Sequence, residues 1–329
     1  MYRILVTGCA GFIGSHLSET LIKKGYKVVG IDNLSNGKLS NIQSFRNNKN
    51  FNFLKCDFGD KEKLSETLSQ VDIVYHLAAL ADIVPSIKNP DVYFSSNVNS
   101  TFNLVRSCEK KKIKKIIYAA SSSCYGIPKK YPTSESCPIQ PQYPYALTKR
   151  LGEQIIFHFG ELYKIPVVSL RLFNVYGPRA RTSGTYGAVF GVFLAQKLAN
   201  KPFTVVGDGK QTRDFTFVED VVSAFIEVLD DRINNEIFNV GSGQTYSINS
   251  LIKLLGKNKI VNIPKRPGEP DCTFADISKI LKKTKWKPKI SFKDGINKLL
   301  KSIDEFKDAP VWDAESIENE TKDWFKYLS

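Results

Sequence analysis

The chain has 329 residues, of which 42% are hydrophobic and 24% are charged, and its formal net charge is +14. This composition is that of a globular protein with its own core, which excludes intrinsic disorder for most of the chain. No apolar run approaches the roughly 20 residues of a membrane span, and the first apolar residues are too few for a secretory signal. We therefore expect a cytoplasmic protein without a membrane partner.

The excess positive charge comes mainly from scattered lysines, with short clusters at 110–112 and 282–283. A nucleic-acid-binding protein would show a basic face with stacking aromatic residues, or a recognisable binding motif. The sequence shows neither, so no nucleic-acid partner is predicted. Its six cysteines form no C-x-x-C pair and its three histidines lie far apart, so no metal site is predicted either.

The first half of the chain alternates short apolar runs with longer amphipathic ones. Runs rich in Ile, Val, Phe and Tyr predict strands at 2–7, 27–32, 51–57, 72–77 and 115–120. Helical patterns lie between them at 14–24, 61–69 and 97–110. Because the predicted strands are apolar at nearly every position, they suit a parallel sheet that is covered on both faces. The pattern predicts a doubly wound α/β fold.

The second half is less regular. Runs at 167–174, 203–206 and 236–240 are expected to extend the same sheet. After about residue 175, Pro and Gly interrupt the alternation, so we expect a smaller, loop-rich domain over the carboxyl ends of the strands. The segment 308–329 carries several aromatic residues and is predicted as a terminal helix packed on the body.

A glycine-rich turn joins the first predicted strand to the first helix. Residues 7–14 read T-G-C-A-G-F-I-G, which places glycines at 8, 11 and 14. Such a turn lets the backbone approach a pyrophosphate closely, and the N-terminus of the following helix offers free N–H groups to it. The spacing differs from G-x-G-x-x-G, so the glycines alone are weak evidence for a dinucleotide site.

Two carboxylates strengthen this interpretation. Asp32 ends the second predicted strand, where a carboxylate accepts hydrogen bonds from a ribose 2′-hydroxyl and repels a 2′-phosphate. NAD is therefore favoured over NADP, although Lys38 is close enough in sequence to leave the alternative open. Asp57 ends the third strand and is placed to reach an adenine, or to act as an ordinary loop carboxylate.

A candidate acid/base pair follows at Tyr145 and Lys149. Their spacing of four places both side chains on one face of a helix, one turn apart. An ammonium near a phenol favours the phenolate, so we expect the pKa of Tyr145 to fall toward the working pH. Ser121, at the end of the fifth predicted strand, lies where open α/β sheets bind ligands.

Five motifs occur in order, namely T-G-x-x-G-x-x-G (7–14), H-L-A-A (76–79), S-S-S-x-Y-G (121–126), Y-x-x-x-K (145–149) and R-x-F-N-x-Y-G-P (171–178). In this combination the chain resembles an extended short-chain dehydrogenase/reductase of the nucleotide-sugar epimerase/dehydratase family. The resemblance runs from residue 2 to at least residue 286. It implies a Rossmann-type NAD-binding domain over 1–175, to which 210–243 return, and a nucleotide-sugar-binding domain over 176–209 and 244–329.

The resemblance also implies a tightly held NAD and a role for each site residue. Tyr145 would be the acid/base, Lys149 would bind the nicotinamide ribose and tune Tyr145, and Ser121 would hold the reacting sugar oxygen. The cofactor site would comprise Gly8, Gly11, Phe12, Ile13, Gly14, Asp32, Asn33, Ser35, Asp57, Phe58, Leu77, Ala78, Ala79, Asn97, Tyr145 and Lys149. The substrate site would comprise Ser86, Ser121, Ser122, Ser123, Tyr145, Asn174, Arg213, Arg266, Glu269 and Thr273.

Within that set, Arg213 and Arg266 resemble the arginines that grip the substrate diphosphate, and Arg suits bidentate phosphate contacts. Glu269 resembles the carboxylate that binds the nucleoside ribose, and Asn174 resembles a substrate-binding asparagine. The family dimerises through two helices of each subunit, which here would lie around 97–110 and 145–163. A homodimer is therefore expected.

The residues after Ser121 bear on the reaction. A 4,6-dehydratase needs an Asp-Glu pair there and related decarboxylases carry a Glu, but this chain has Ser122 and Ser123. Elimination needs a proton donor and a base, so 4-epimerisation is preferred. A dehydratase, a decarboxylase and a one-way reductase remain alternatives on the same fold, and a non-catalytic nucleotide-binding protein is an alternative from another class.

Two positions bear on the substrate. Thr273 stands where glucose-restricted epimerases have a bulky Tyr, so we expect room for a 2-acetamido group. UDP-N-acetylglucosamine and UDP-N-acetylgalactosamine, UDP-glucose and UDP-galactose, or both pairs, are then the expected substrates. Asp82 puts a carboxylate in a loop that borders the sugar in this family, where it would bind hydroxyls, discourage a uronic acid, or face solvent.

Overall fold

The computed structural model describes residues 2–180, 188–256 and 258–328, so residues 181–187 of the predicted sugar-binding domain lie outside the described residues. The strands of the described residues are β1 (Arg3–Thr7), β2 (Lys27–Asp32), β3 (Phe51–Lys55), β4 (Ile73–His76), β5 (Lys115–Ser121), β6 (Val167–Leu172), β7 (Val175–Tyr176), β8 (Phe203–Val206), β9 (Thr212–Arg213), β10 (Thr216–Phe217), β11 (Glu236–Val240), β12 (Tyr246–Ser247) and β13 (Ile260–Ile263).

The α-helices of the described residues are α1 (Phe12–Lys23), α2 (Leu39–Ile42), α3 (Lys61–Leu68), α4 (Ile83–Lys88), α5 (Pro90–Phe94), α6 (Ser100–Ser107), α7 (Pro144–Leu162), α8 (Val189–Leu198), α9 (Val218–Glu227), α10 (Ile248–Leu255), α11 (Ser278–Lys283), α12 (Phe292–Lys301) and α13 (Ala314–Leu328). A π-helical turn (Ser95–Asn99) joins α5 to α6, and 3₁₀ turns lie at Ser122–Tyr125 and Ile303–Phe306.

A seven-stranded parallel sheet forms the centre of the fold, in the order β11-β6-β5-β4-β1-β2-β3. The predicted doubly wound α/β fold is therefore confirmed. β1 lies between β2 and β4, so the winding direction reverses at this strand. Ligands of open α/β sheets bind outside the carboxyl ends of the strands at such a reversal. The glycine-rich turn follows β1 and lies at this point.

The sheet is buried on both faces, as the apolar runs predict. In β1, Leu5 packs into one cluster with Leu64 of α3, while Ile4 and Val6 pack into the other with Leu17 of α1. All five side chains are fully buried. Burying such an aliphatic side chain stabilises a fold by about 1.5–3 kcal/mol. Helices on the two faces therefore hold the sheet rigid beneath its carboxyl edge.

The helix predicted over 97–110 is longer at its start and more irregular. It begins with α5 at Pro90, passes through the π-helical turn Ser95–Asn99, and ends with α6 at Ser107. Proline suits the first turn of a helix because that turn leaves its N–H groups unpaired. The wider turn places the side chain of Asn97 against the backbone of Leu80, with which it exchanges two hydrogen bonds.

One predicted strand does not join the central sheet. The run at 203–206 was expected to extend it, and that prediction is wrong, because β8 pairs in parallel with β13 in a separate two-stranded sheet. The edge of β6 is already covered by β11. The ring of Phe203 instead stacks on Phe193 of α8 with centroids 4.9 Å apart, which draws β8 toward that helix.

The predicted terminal helix is present as α13, which buries Ile317, Thr321 and Trp324. It packs against α4, where Lys88 Nζ lies 2.9 Å from Glu320 Oε2. None of the described helices has the length and apolar character needed to cross a membrane.

Candidate active site

The glycine-rich turn is built for close approach. Gly8 has a φ of +72°, a region that L side chains rarely adopt, and a Cβ there would lie 2.9 Å from the backbone nitrogen of Ala78. A Cβ at Gly14 would lie 2.0 Å from the carbonyl oxygen of Gly8. The turn therefore admits only glycine at both positions, and its backbone stays open toward the carboxyl edge of the sheet.

A cavity of about 390 Å³ opens above this turn. Its lining includes these predicted cofactor residues: Gly8, Gly11, Phe12, Ile13, Gly14, Asp32, Asn33, Ser35, Phe58, Leu77, Ala78 and Ala79. The volume falls in the range of about 300–1,000 Å³ that small-molecule sites occupy. A bare glycine backbone at a helix N-terminus and a carboxylate at the end of β2 are the groups that a dinucleotide needs, so the residues present fit one.

Asp32 is held rigidly in this cavity. Its two carboxylate oxygens accept hydrogen bonds from Ala10 N at 2.9 Å and from Leu34 N at 2.8 Å. Burial nevertheless raises the pKa of this carboxyl. Each carboxylate oxygen has a second lone pair, so Asp32 retains the capacity to accept from a ribose hydroxyl.

Asp57 lies beside the cavity, where Asn33 Nδ2 donates to its Oδ2 at 2.8 Å and Gly59 N donates to its Oδ1 at 2.7 Å. Ser35 N donates in turn to Asn33 Oδ1 at 3.0 Å. These bonds link the loop after β2 to the loop after β3. Asp57 therefore orders Asn33, which lines the cavity.

Asn97 occupies a junction between the cavity wall and α7, the helix that carries the predicted acid/base pair. Its Oδ1 accepts from Leu80 N at 2.8 Å, and its Nδ2 donates to Thr148 Oγ1 at 3.1 Å. Thr148 Oγ1 donates to the carbonyl of Tyr145. The amide of this predicted cofactor residue is thus committed to protein partners that align the loop with α7.

Tyr145 stands in the first turn of α7 and is hydrogen-bonded to Ser121, the last residue of β5. The expectation that the pKa of Tyr145 falls is wrong for this structure. Burial raises it, and the hydrogen bond with Ser121 lowers it only in part. The physical reason is that desolvation penalises the phenolate, while the ammonium of Lys149 is directed at another ring.

That ring belongs to Tyr118 in the middle of β5. The Nζ atom of Lys149 lies 4.3 Å from its centroid, within the range of a cation–π contact. Lys149 is only 4% exposed, and burial lowers its pKa to about 7, while the carboxylate of Glu153 raises it. Lys149 is therefore poised to change its charge near neutral pH.

The serine turn after β5 brings the predicted hydroxyls together. Ser121 Oγ donates to Ser123 Oγ at 3.0 Å, and Ser123 is also hydrogen-bonded to Tyr143. The rings of Tyr143 and Tyr145 are nearly parallel, with centroids 6.5 Å apart. Ser122 lies in the same 3₁₀ turn. The turn therefore presents hydroxyl groups beside Tyr145, the predicted acid/base, and no carboxylate at positions 122 and 123.

Ser86 is placed differently. It is fully buried within α4, and its Oγ donates to the carbonyl of Ile83 at 2.6 Å. Its hydroxyl is therefore engaged by its own helix, and the structure does not bring it together with the serine turn. Asp82, immediately before α4, lines the cavity.

The predicted diphosphate and ribose residues meet in one cluster. Arg213 Nη2 donates to Glu269 Oε1 at 2.8 Å, and Arg266 Nη1 lies 3.6 Å from Glu269 Oε2. Both guanidinium groups are largely buried, so they lie in a partly desolvated site. Two arginines that share one carboxylate carry a net positive charge, which suits an anionic ligand.

Thr273 and Asn174, which are 99 residues apart in the sequence, form a second contact between predicted substrate residues. Thr273 Oγ1 donates to Asn174 Oδ1 at 2.6 Å and accepts from Asp214 N at 3.1 Å. The short threonine side chain is thus held in place by its neighbours. The pair brings two predicted substrate residues together.

Four aromatic residues that lie in the site were not predicted as site residues from the sequence. Tyr118 contacts Lys149, Tyr143 stacks on Tyr145, Trp312 lines the cavity, and Trp324 packs against Tyr143. Tyr118 and Tyr143 lie within three residues of Ser121 and Tyr145, so sequence proximity was a usable signal for them. The two tryptophans reach the site from the C-terminal segment, and no local pattern indicates this. Among the described residues, no group of three or more His, Cys, Asp or Glu is placed to hold a metal ion.

Two enzymes are similar in sequence to this chain over about nine tenths of its length. The UDP-glucose 4-epimerase of Mycolicibacterium smegmatis is 34% identical over 306 residues, covering 90% of this chain and 96% of that protein. A decarboxylase of UDP-N-acetyl-α-D-glucosaminuronate from Bacillus cytotoxicus is 32% identical over 315 residues, covering 91% and 96%.

Solved structures agree with these relatives. The UDP-glucuronic acid 4-epimerase of Bacillus cereus, in complex with UDP-glucuronic acid and NAD, has a TM-score of 0.87 at 36% identity, covering 92% of this chain and 99% of that one. The UDP-N-acetylglucosamine 4-epimerase of Methanobrevibacter ruminantium M1 has a TM-score of 0.86 at 35% identity, covering 92% and 98%. The GDP-mannose 4,6-dehydratase family model matches residues 5–299. With the motifs in order and the sheet topology above, the chain belongs to the GDP-mannose 4,6-dehydratase family of extended short-chain dehydrogenases/reductases.

Proposed function

We propose that this protein is an NAD-dependent 4-epimerase of UDP-hexoses that acts through a transient 4-keto sugar. The observation that carries the proposal is the placement of Tyr145 beside Ser121 at the carboxyl end of β5, next to a turn with Ser122 and Ser123 in place of carboxylates. This set supports proton transfer at one hydroxyl. It lacks, at those positions, the acid that elimination of water requires.

NAD is the cofactor that the family uses, and the glycine turn with Asp32 supports its binding here. When bound, NAD supplies the oxidation and re-reduction of the sugar at C4. Asp32 would accept from the adenine-side ribose, and Lys149 would donate to the nicotinamide-side ribose. Asn97 and Thr148 link the loop at Leu80 to α7, so the cavity wall and the helix of Lys149 are held together.

The chain's own residues would handle the proton. Tyr145 Oη takes the proton from the sugar 4-hydroxyl and later returns it, while Ser121 Oγ holds the same oxygen. Arg213 and Arg266 would grip the diphosphate and leave the hexose free to turn over between the two half-reactions. The configuration at C4 would be set by which face of the keto sugar meets the reduced cofactor, so a hexose that is free to turn over would be released as either epimer, which a one-way reductase does not do.

For the sugar itself, Thr273 supports a substrate with a 2-acetamido group. Its short side chain is fixed by Asn174 and Asp214 and leaves more room than a bulky residue at that position. We therefore propose UDP-N-acetylglucosamine and UDP-N-acetylgalactosamine, UDP-glucose and UDP-galactose, or both pairs, as substrates. Relatives that act on each of these glucose-configured sugars support the choice.

Decarboxylation is the second candidate, because a decarboxylase is among the similar proteins. The absence of a Glu after Ser121 weighs against it. The two candidates predict different products, since only decarboxylation shortens the sugar to a pentose.

The test is a product assay with UDP-glucose, UDP-N-acetylglucosamine and UDP-glucuronic acid, followed by NMR at the sugar C4. We expect interconversion at C4 of at least one of the first two sugars, with all carbons retained, and its loss in Tyr145→Phe. Formation of UDP-xylose from the third sugar would establish the decarboxylase instead. Turnover of UDP-glucose without UDP-N-acetylglucosamine would remove the argument from Thr273.

We also propose that the protein forms a homodimer through α5, α6 and α7. These helices expose large apolar side chains, namely Val92, Phe94, Phe102, Leu147 and Leu162. Phe102 of α6 contacts the ring of Phe159 of α7 at a centroid distance of 5.3 Å, so the two helices present one continuous surface. Exposed apolar patches of this kind mark interaction sites.

A further inference from the structure

The C-terminal helix α13 reaches the substrate side of the active site. It starts at Ala314, beyond residue 299 where the family match ends. It is fixed to α4 by the ion pair between Lys88 and Glu320, and Trp324, one turn further on, is only 2% exposed. The helix thereby delivers a large aromatic side chain to a site assembled from the rest of the chain.

Trp324 makes two contacts with the segment that carries the proposed diphosphate ligands. Its Nε1–H donates to the carbonyl of Pro267 at 2.7 Å. The guanidinium carbon of Arg266 lies 5.4 Å from the centroid of its ring, which is a cation–π distance. Arg266 is also 3.6 Å from Glu269. The indole therefore fixes both the backbone beside Arg266 and the plane of its guanidinium group.

A third contact links Trp324 to the acid/base residue. The rings of Trp324 and Tyr143 have centroids 6.3 Å apart, and Tyr143 also stacks on Tyr145. Tyr143 is further hydrogen-bonded to Ser123 of the serine turn. One indole therefore touches the group proposed to hold the diphosphate and the ring next to the group proposed to move the proton.

From this geometry we infer that Trp324 is a positioning residue for substrate binding, which holds Arg266 in the orientation that grips the diphosphate of a nucleoside-diphosphate sugar. The inference rests on the proposed function, because Arg266 meets a diphosphate only if the ligand is of that class. It adds the C-terminal helix to a site otherwise built from residues that precede it. The contacts with the indole and with one carboxylate keep the remaining N–H groups of the guanidinium in a fixed direction. Less conformational entropy is then lost when the ligand binds.

The test compares two buried tryptophans in the full chain. Trp286 is 4% exposed and its Nε1–H donates at 2.9 Å to the carbonyl of Asp220, a residue of α9 outside the proposed site, so Trp286→Leu is the matched control. In Trp324→Leu we expect the Kd for UDP, measured by calorimetry, to rise about tenfold. We expect the NAD content of the purified protein to stay unchanged. In Trp286→Leu we expect a lower Tm and the Kd of the wild type.

A second measurement covers the case in which Trp324→Leu does not fold. Trp324→Phe keeps a ring for Arg266 and Tyr143 but loses the bond to Pro267, so it should fold and bind UDP with intermediate affinity. Addition of UDP should change the tryptophan fluorescence of the wild type and of Trp286→Phe equally, and this change should be smaller in Trp324→Phe, where Trp312 is the remaining tryptophan in the cavity lining.

Three results would overturn the inference: a folded Trp324→Leu with the wild-type Kd for UDP, an equal rise in Kd in both leucine variants, or a fluorescence change in Trp324→Phe as large as that of the wild type. A wild type that binds no UDP would instead contradict the proposed function, so the two failures are distinguishable.

Discussion

The ammonium group of Lys149 lies over the face of the Tyr118 ring, 4.3 Å from its centroid, and the Tyr118 hydroxyl donates to the carbonyl of Lys149 at 3.3 Å. A Cβ at Gly152 would lie 2.4 Å from that hydroxyl oxygen, so the helix carries glycine where the ring approaches. One tyrosine of β5 thus holds both the backbone and the charge of the lysine that lies one turn after Tyr145.

We predict from this contact that Tyr118→Leu reduces kcat/KM about tenfold, since a desolvated cation–π contact contributes up to about 2 kcal/mol. Groups facing the ammonium are Glu153 on its own helix, Tyr118 on β5 and His76 on β4. Loss of the ring disfavours charged Lys149 and lowers its pKa further, so the alkaline limb of the pH profile of kcat/KM, where the charged lysine is lost, should move to lower pH. Tyr118→Phe keeps the ring and should retain the wild-type limb; a shift in Phe equal to that in Leu would contradict the role of the ring.

Lys149 should also govern how stability depends on pH. Burial lowers its pKa from 10.5 to about 7, so between these values the unfolded chain binds a proton that the folded protein does not. The charged form is therefore penalised in the fold below pH 7, and the penalty disappears as pH rises toward 10.5. Lys149→Met should be more stable than the wild type at pH 6, by at most a few kcal/mol, and equally stable near pH 10.5.

The measurement is urea denaturation of both proteins across this pH range without added nucleotide, so that other titrating groups cancel in the difference. The same variant should lose activity at every pH. A stability difference that grows with pH would show that the lysine is not desolvated in the folded protein.

Ser121 is predicted to set the pH dependence of proton transfer. Its hydrogen bond lowers the pKa of Tyr145, so Ser121→Ala should raise that pKa and move the acid limb of kcat to higher pH. A fall in kcat of about 10²-fold is expected, in the range of general acid–base contributions. Ser121→Thr keeps a hydroxyl and should restore most of the activity, whereas an alanine variant with an unshifted pH profile would assign the serine to binding alone.

Arg213 is predicted to act on substrate affinity. Arg213→Ala should raise the KM for a UDP-sugar about ten- to hundredfold, because a hydrogen bond to a charged group contributes about 1.5–3 kcal/mol. The retained NAD should not change. Lys210→Ala removes an exposed cation three residues away, which pairs with Asp208, and serves as the control for net charge. Equal effects of the two variants would mean that charge alone, and not the site, attracts the substrate.

The proposed dimer surface can be tested by replacing its apolar residues with charged ones. Leu162 is 63% exposed at the end of α7, and Phe102→Glu with Leu162→Glu should convert a dimer to monomers, measured by light scattering after size-exclusion chromatography. Ile260→Glu alters an apolar side chain of similar exposure on β13 and should leave the dimer intact. A wild type that elutes as a monomer would refute the proposed association.

Much of the fold followed from local patterns. Apolar runs of five to seven residues between amphipathic segments are enough to predict a parallel sheet covered on both faces, and the strand order bears this out. The prediction for the run at 203–206 was wrong because its apolar pattern also matches a central strand. In the folded protein β11 pairs with β6, and Phe203 of β8 packs on Phe193 of α8. Which edge a strand joins depends on contacts that sequence periodicity does not record.

For the site, the sequence by itself determined the candidate groups that local motifs mark: the glycines of the turn, Asp32 and Ser121 at strand ends, and Tyr145 four residues before Lys149. Their spacing follows from the geometry of a strand end and a helix face. Only the tertiary structure decided the direction of the pKa of Tyr145 and the place of Trp324 beside Arg266. Desolvation and ring contacts depend on which distant segments pack together, and that is a property of the folded chain as a whole.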